Sequence, residues 1–206
     1  MQQLTGLDTT FLVMEAGGQL GHVGSLCLYD PKGLRGRSLA EAFAATLEAR
    51  LHLLPPYRRR LVEVPLGLDR PYWVEDPNFD LDYHLRHIAV PPPGDDQQLA
   101  SLVARIHGRA LDRARPLWEA YVIEGCANGL VAIYTKIHHC TIDGVSGAEM
   151  MGVLLDRNPA GDVVAAAEPS EPPAAVPGAL EMLARGALGL ARQPDRIART
   201  AFRTVR

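Results

Sequence analysis

The spacing of apolar positions divides the chain into strand-like and helix-like stretches. The run His22-Val23-Gly24-Ser25-Leu26-Cys27-Leu28-Tyr29, stopped by Asp30-Pro31, reads as a strand. At Ser38 the period lengthens. Leu39, Phe43, Leu47, Leu51 and Leu54 fall on one helical face, Ser38 with Glu41 forms a capping-box pattern, and Pro55-Pro56 is expected to end the helix. A second helical stripe, Leu99, Leu102, Val103, Ile106 and Ala110, follows the turn-rich Pro91-Pro92-Pro93-Gly94-Asp95-Asp96. Tyr121-Val122-Ile123 and residues 130–137 flank Asn128-Gly129, which predicts a hairpin with a two-residue turn. Met150, Met151, Leu154 and Leu155 then predict a short helix packing back on the sheet. The order is that of an α/β domain over residues 1–156, a mixed sheet with flanking helices.

Beyond Asp156 the pattern changes. Residues 157–178 are rich in Pro, Ala, Gly and acids and read as an extended linker with too little bulk for a core. Residues 179–206 turn helical and basic: Arg185, Arg192, Arg196, Arg199, Arg203 and Arg206 form a stripe, with Leu183, Leu190, Ile197, Ala201 and Val205 on the apolar side and Pro194 as a kink. From Leu180 onward six arginines face two acids, a local charge of +4, whereas the rest of the chain carries 15 bases against 22 acids, or −7. Such a basic face fits an anionic lipid surface, an acidic protein surface, or a solvated connecting helix. Nucleic acid is not expected, because the overall charge is negative and no aromatic stacking platform accompanies the arginines.

Composition limits the compartment more than the activity. With 206 residues, 47% hydrophobic and 22% charged, the chain can bury one substantial core or two small ones. Three widely spaced cysteines, Cys27, Cys126 and Cys140, make no disulfide framework and favour a reducing compartment. No basic start precedes an apolar run, so no signal peptide is read, and no stretch of about 18 apolar residues can span a bilayer. Membrane contact is therefore expected to be peripheral. Arg58-Arg59-Arg60 can either contact an anionic substrate or keep a loop solvated, the second being favoured.

The chemistry concentrates in His138-His139-Cys140-Thr141-Ile142-Asp143-Gly144, where a predicted strand ends on two imidazoles and turns. Strand alternation sends the histidines to opposite faces, one with Ile133 and Ile137, the other with Tyr134 and Lys136. Joint chelation is awkward, Cys140 lacks partner spacings, and no metal is expected. One histidine is expected to be a packed core or edge residue and the other a general base at neutral pH. Asp143 is a turn former or a loop-holding charge, and Gly144 marks a position that a side chain would obstruct.

This HHxxxDG pattern resembles the active-site motif of the CoA-dependent acyltransferase superfamily, which includes bacterial wax ester synthases, diacylglycerol acyltransferases and the condensation domains of nonribosomal peptide synthetases. Leu4-Thr5-Gly6-Leu7-Asp8 with Phe11, Trp73-Val74-Glu75-Asp76-Pro77 with Phe79-Asp80-Leu81, His84-Leu85-Arg86, Leu111-Asp112-Arg113, Arg115-Pro116-Leu117-Trp118-Glu119 and Ile123-Glu124-Gly125 look like the wax ester synthase/diacylglycerol acyltransferase branch, in the family's order over about residues 1–156.

The resemblance implies a CoA-dependent acyltransferase-like N-terminal domain that moves a long-chain acyl group from acyl-CoA, as substrate and not cofactor, to diacylglycerol or a fatty alcohol. His139 is then the general base, His138 orients or packs the site, and Asp143 braces the loop, through an arginine, without a relay to His139. Pro116-Leu117-Trp118 either shapes an acyl or alcohol tunnel or is a strand-entry proline with a core tryptophan. Removing an oxyanion donor typically costs about 2.7–4 kcal/mol, and no residue here is an evident candidate. Members of this family are longer, with a second domain that completes the site, so a C-terminal half is expected as partner. A cytoplasmic location, peripheral to the membrane or to lipid bodies through Arg192, Arg196, Arg199 and Arg203, goes with the lipid substrate. The alternatives are a condensation-type or other HHxxxDG acyltransferase, or a non-catalytic half-domain that binds lipid or protein.

Overall fold

The computed structural model describes residues 1–16, 18–34, 36–142, 150, 152–156, 164 and 175–191. Its centre is a four-stranded mixed sheet in the order β2 (His22–Tyr29), β7 (Val131–His138), β6 (Trp118–Glu124) and β5 (Leu85–Ala89). The β2–β7 and β7–β6 pairs are antiparallel, and β6–β5 is parallel. Both central strands are buried on their two faces, which is why 131–134 and 120–123 read as continuous apolar runs.

A one-turn helix, α4 (Leu81–His84), leads into β5, and one longer helix covers each face of the sheet. α2 (Leu39–Arg50) lays Leu39, Phe43 and Leu47 over Trp118, Ala120, Val122, Val131 and Ile133. α5 (Asp96–His107) lays Leu99, Leu102, Val103 and Ile106 over Tyr121, Ile123, Ala132 and Tyr134. Both helices open on complete capping boxes, Ser38 with Glu41 and Asp95 with Gln98, so each start satisfies its own orphan donors. Val122 and Ile123 are fully buried, and each such side chain contributes about 1.5–3 kcal/mol.

A second, three-stranded sheet of β1 (Gln2–Gln3), β4 (Tyr72–Glu75) and β3 (Arg59–Val62) lies beside the first and was not expected from the pattern. Its apolar side, Val62 and Val74 with Val64, receives Met182 of α6 (Ala179–Ala191). A Cβ at Gly186 would stand 2.6 Å from Val64 Cγ1, so the helix approaches this closely only because that residue is glycine.

Two expectations about boundaries are corrected. Pro55-Pro56 does not end α2, which stops at Arg50 and passes through a 3-10 turn; the prolines occupy the first positions of a short helix, α3 (Pro55–Arg58), where a missing N–H costs nothing. The β6–β7 connection is also longer than two residues. Asn128 and Gly129 do take the left-handed conformation of such a turn, at φ 64° and 70°, but the ladder closes at Ile123 with Ala132. Gly125, at φ +80°, diverts the chain onto the 91–94 loop, where Ala127 N–H donates to Gly94 O at 2.7 Å. Strand β2 matches its expected bounds; of the stripe Met150, Met151, Leu154 and Leu155, Met150 and Leu154 are buried against Trp118, Leu155 is exposed, and Met151 lies outside the described residues.

Candidate active site

β7 delivers the two histidines to different environments. His138 is its last residue and continues the buried face of Tyr134 and Lys136; His139 begins a 3-10 turn, His139–Thr141. The turn is anchored twice, by His139 N–H donating to Gly21 O at 2.6 Å and by Ile142 N–H donating to His139 O at 3.2 Å.

His138 is 1% exposed. Its Nδ1 accepts the Cys140 N–H at 3.1 Å. A backbone N–H can only donate, so Nδ1 is unprotonated and the neutral ring carries its hydrogen on Nε2. Burial, above all, holds this ring's pKa down to about 4, against the opposing pull of Glu15, so it is neutral at physiological pH. His138 is the packed histidine of the pair.

His139 is half-buried, and its ring stacks on Phe11 with centroids 4.0 Å apart. Phe11 belongs to α1 (Gly6–Ala16), which lies along this end of the sheet. Its Nδ1 is buried and has no hydrogen-bond partner among the described residues. Cys140, next in sequence, is no competing nucleophile: burial pushes its thiol up to about 12, so almost no thiolate exists at neutral pH.

Behind the pair lies a layer of buried polar groups. Glu15, in the last turn of α1, takes Arg113 Nη2 at 2.6 Å and faces Nε2 of His22 at 3.5 Å and of His138 at 3.7 Å. His107 Nδ1 lies 2.6 Å from the Tyr134 hydroxyl, whose pKa burial pushes up to about 12. Lys136 donates to Ile106 O and Arg109 O at 3.1 and 2.9 Å and pairs with Glu119 at 3.3 Å, capping the carbonyl end of α5. Sequence reasoning missed this layer. The available signal was Lys136 and His138 at alternate positions of an otherwise apolar strand, which requires buried partners.

The remaining expected site residues fall as follows. Pro116, Leu117 and Trp118 are all buried. Trp118 lies in the core, stacked on His84 at 4.6 Å and donating Nε1–H to Tyr57 O at 2.9 Å, the strand-entry arrangement. Asp143, Gly144, Arg192, Arg196, Arg199, Arg203 and residues 157–163 and 165–174 of the expected linker lie outside the described residues, and Val176, near the linker's end, packs against the cluster of Val62, Val64, Val74 and Met182. Arg113, an arginine near the pair, is engaged by Glu15. Arg58 pairs with Glu75, and Arg59 donates to Gln2, so both take up protein partners. A concavity of about 400 Å³ between Leu51, His52, Arg58, Asp76 and Phe79 is lined by neither His138 nor His139. Among the described residues no His, Cys, Asp and Glu grouping could hold a metal ion, and no helix is long and apolar enough to cross a membrane.

Comparison with known proteins places this geometry. Residues 4–206 match the model of the wax ester synthase/diacylglycerol acyltransferase catalytic domain. A Mycobacterium tuberculosis protein named as a diacylglycerol O-acyltransferase is 37% identical over the whole chain, which spans 40% of that relative's length. The wax ester synthase/diacylglycerol acyltransferase of Marinobacter aquaeolei VT8 superposes with a TM-score of 0.59 at 36% identity, over 73% of this chain and 37% of that one. The starter condensation domain of rhizomide synthetase shares the fold, at a TM-score of 0.56 and 14% identity over 74% of this chain and 37% of that one.

Proposed function

This chain belongs to the wax ester synthase/diacylglycerol acyltransferase family, and from that premise we propose that it carries the histidine end of an O-acyltransferase that joins a long-chain acyl-CoA to diacylglycerol, or to a fatty alcohol. The observation that carries the reading is the division between the histidines: His138 is sealed and neutral, while His139 stands half-buried on a turn held by two backbone hydrogen bonds.

An alcohol is a weak nucleophile at neutral pH, so a base must take its proton as it attacks. His139 Nε2 is the nitrogen for this, because Nδ1 is turned into the protein. The alcohol oxygen forms a bond to the thioester carbon, the carbon–sulfur bond breaks, and the imidazolium returns the proton to the departing CoA sulfur. General base catalysis of this kind contributes about 10²–10⁴-fold. Phe11, flat against the ring, limits its rotation and keeps Nε2 aimed. Acyl-CoA and the lipid alcohol are substrates; the chemistry needs no cofactor.

The chain spans 40% of the length of its mycobacterial relative. We take residues 1–156 as the acyltransferase unit, residues 157–178 as a linker, and a C-terminal half of the same enzyme as the partner that closes the channel and supplies oxyanion donors. Asp143 braces the loop beyond His139. The arginines from Arg192 to Arg203 dock the enzyme to a membrane or lipid-body surface on the cytoplasmic side, each contributing on the order of 1 kcal/mol near an anionic leaflet.

The test is product formation by the complete polypeptide. With labelled acyl-CoA and diacylglycerol, labelled triacylglycerol and free CoA should appear in equal amounts. CoA released without a lipid ester, or no product with either alcohol, would overturn the reading. Co-sedimentation with anionic liposomes should weaken as salt rises and in Arg192→Glu, Arg196→Glu and Arg199→Glu; unchanged binding would reject the basic docking face.

A further inference from the structure

We propose that Glu15 is a positioning residue for acyl transfer: clamped by Arg113, its carboxylate faces the Nε2–H of the buried His138 ring and orients that ring and, through its Nδ1, the turn that presents His139. The inference rests on the reading of His139 as the base.

Glu15 is out of place as a helix residue. It lies in the last turn of α1, where the helix dipole is negative and no basic residue offsets it. Its side chain is only 10% exposed, and a buried carboxylate is costly unless it is paired. Packing of α1 falls instead to Leu12, which lies in an apolar cluster with Leu4, Leu61, Leu111 and Leu117. A charge held where neither helix nor core favours it is there for its partners.

Those partners converge on the histidine pair. Arg113 fixes Oε2 through Nε at 3.1 Å and Nη2 at 2.6 Å, and its Nη2 also donates to Leu12 O at 2.9 Å, tying the guanidinium to the same helix. Oε1 then faces His22 Nε2 at 3.5 Å, and Oε2 faces His138 Nε2 at 3.7 Å. His22 and His138 are register partners across β2 and β7, with rings edge to face at 5.9 Å. The far nitrogens are hydrogen-bonded, His22 Nδ1 to His107 O at 3.3 Å and His138 Nδ1 by Cys140 N–H, whereas neither Nε2 completes a hydrogen bond to the carboxylate. A carbonyl only accepts, so neutral His22 carries its hydrogen on Nδ1 and His138 alone presents an Nε2–H to Glu15. The Nε2 hydrogen of His138 therefore points at the carboxylate, and its Nδ1 holds the turn.

The same helix grips both histidines. Phe11 and Glu15 are four residues apart and share one face of α1, so Phe11 meets the outer ring and Glu15 the inner one. A shift of α1 moves both contacts together. A displacement of about 1 Å in such a site can cost 10²-fold in rate.

The test compares Glu15→Ala, Glu15→Gln, Arg113→Ala and the Glu15→Ala/Arg113→Ala double variant with His139→Ala in the complete polypeptide. Glu15→Ala should lower kcat about a hundredfold while leaving KM for acyl-CoA in place. Glu15→Gln keeps an oxygen acceptor and should recover most of that loss. The double variant should be no slower than the worse single one, since the two residues act as a unit. Nitrogen-15 spectra of the histidine rings give a readout that needs no turnover: a single Nε2–H form for His138 in the wild type, and displaced or broadened His138 and His139 signals in Glu15→Ala. Wild-type kcat in Glu15→Ala beside an inactive His139→Ala would overturn the proposal and leave the base intact. Activity lost only in proportion to unfolded protein, equally in Ala and Gln variants, would also overturn it. Should His139→Ala turn over like the wild type, the base assignment fails, and unchanged ring signals in Glu15→Ala would remove the positioning role as well.

Discussion

The two faces of the four-stranded sheet are buried to similar depth and held in different ways. Under α2 the contacts from Leu39, Phe43 and Leu47 to Trp118, Val122 and Ile133 are apolar, and the buried polar groups beside them, Arg50 and His84, each turn to a backbone carbonyl, of Val153 and of Trp118. Under α5 the apolar contacts cover only one end, around Ile123, Ala132 and Tyr134. Toward the histidines that face turns polar, and Lys136, His138 and Glu119 are nonetheless buried. The apolar face can be repacked by volume, whereas the polar one works only if each member keeps its partner. The candidate base lies at the edge of the second kind of packing, where geometry is fixed by hydrogen bonds.

The largest effect should come from the first face. Trp118→Ala removes the ring between Tyr57 and His84 together with the bond to Tyr57 O, and should cost about 3–5 kcal/mol in denaturant unfolding. Lys136→Ala should approach the same size, about 3–5 kcal/mol, because it takes from Glu119 its buried cation, leaving Arg86 and the Tyr121 hydroxyl as partners, and unpairs the carbonyls of Ile106 and Arg109. The contrast sharpens in the double variant: Lys136→Met with Glu119→Leu should be less destabilising than Lys136→Ala alone. If each buried charge contributed independently, the double variant would instead be the worst.

Acid acts on both faces next, since burial also lowers the pKa of His84 beside Trp118, and more strongly on the side of the histidine pair. Burial depresses the pKa of His138 to about 4 and lowers that of His22 in the same direction. The unfolded chain, with ordinary histidines near 6.5, therefore binds more protons in this window, so stability falls as pH drops from about 6.5 to about 4 and levels off below that. His138→Asn should flatten this part of the stability curve; an unchanged slope would mean that the ring is protonated in the fold. The smallest effect belongs to the helix starts. Ser38→Ala and Asp95→Ala each remove a capping box and should cost about 1 kcal/mol, alike on both faces, measured by thermal unfolding.

Local rules were enough for the apolar face. The Ser38 cap, the strand 22–29 and the stripe as far as Leu47 follow from periodicity and occur as expected, whereas Leu51 and Leu54, read as the end of that stripe, lie beyond the helix in the 3-10 turn and its cap. The resemblance carried by HHxxxDG and its companion stretches led to the family. Non-local features could not be read in this way. The 125–129 loop is shaped by its contact with Gly94, some thirty positions earlier in the chain, which overrode the turn chemistry of Asn128-Gly129. Glu15, His22, Arg113 and Lys136 are unremarkable in a linear reading, and they become a cluster only when α1, β2 and β7 meet. The buried His138 was legible as one member of a split pair; the residues that keep it neutral and oriented were not.

Adjacent histidines do different work in this fold. CoA release per folded molecule in His139→Ala tests it most directly. The predicted result is a loss of about 10²–10⁴-fold with the unfolding temperature of the wild type. A wild-type rate, or a loss matched by unfolding, would contradict it.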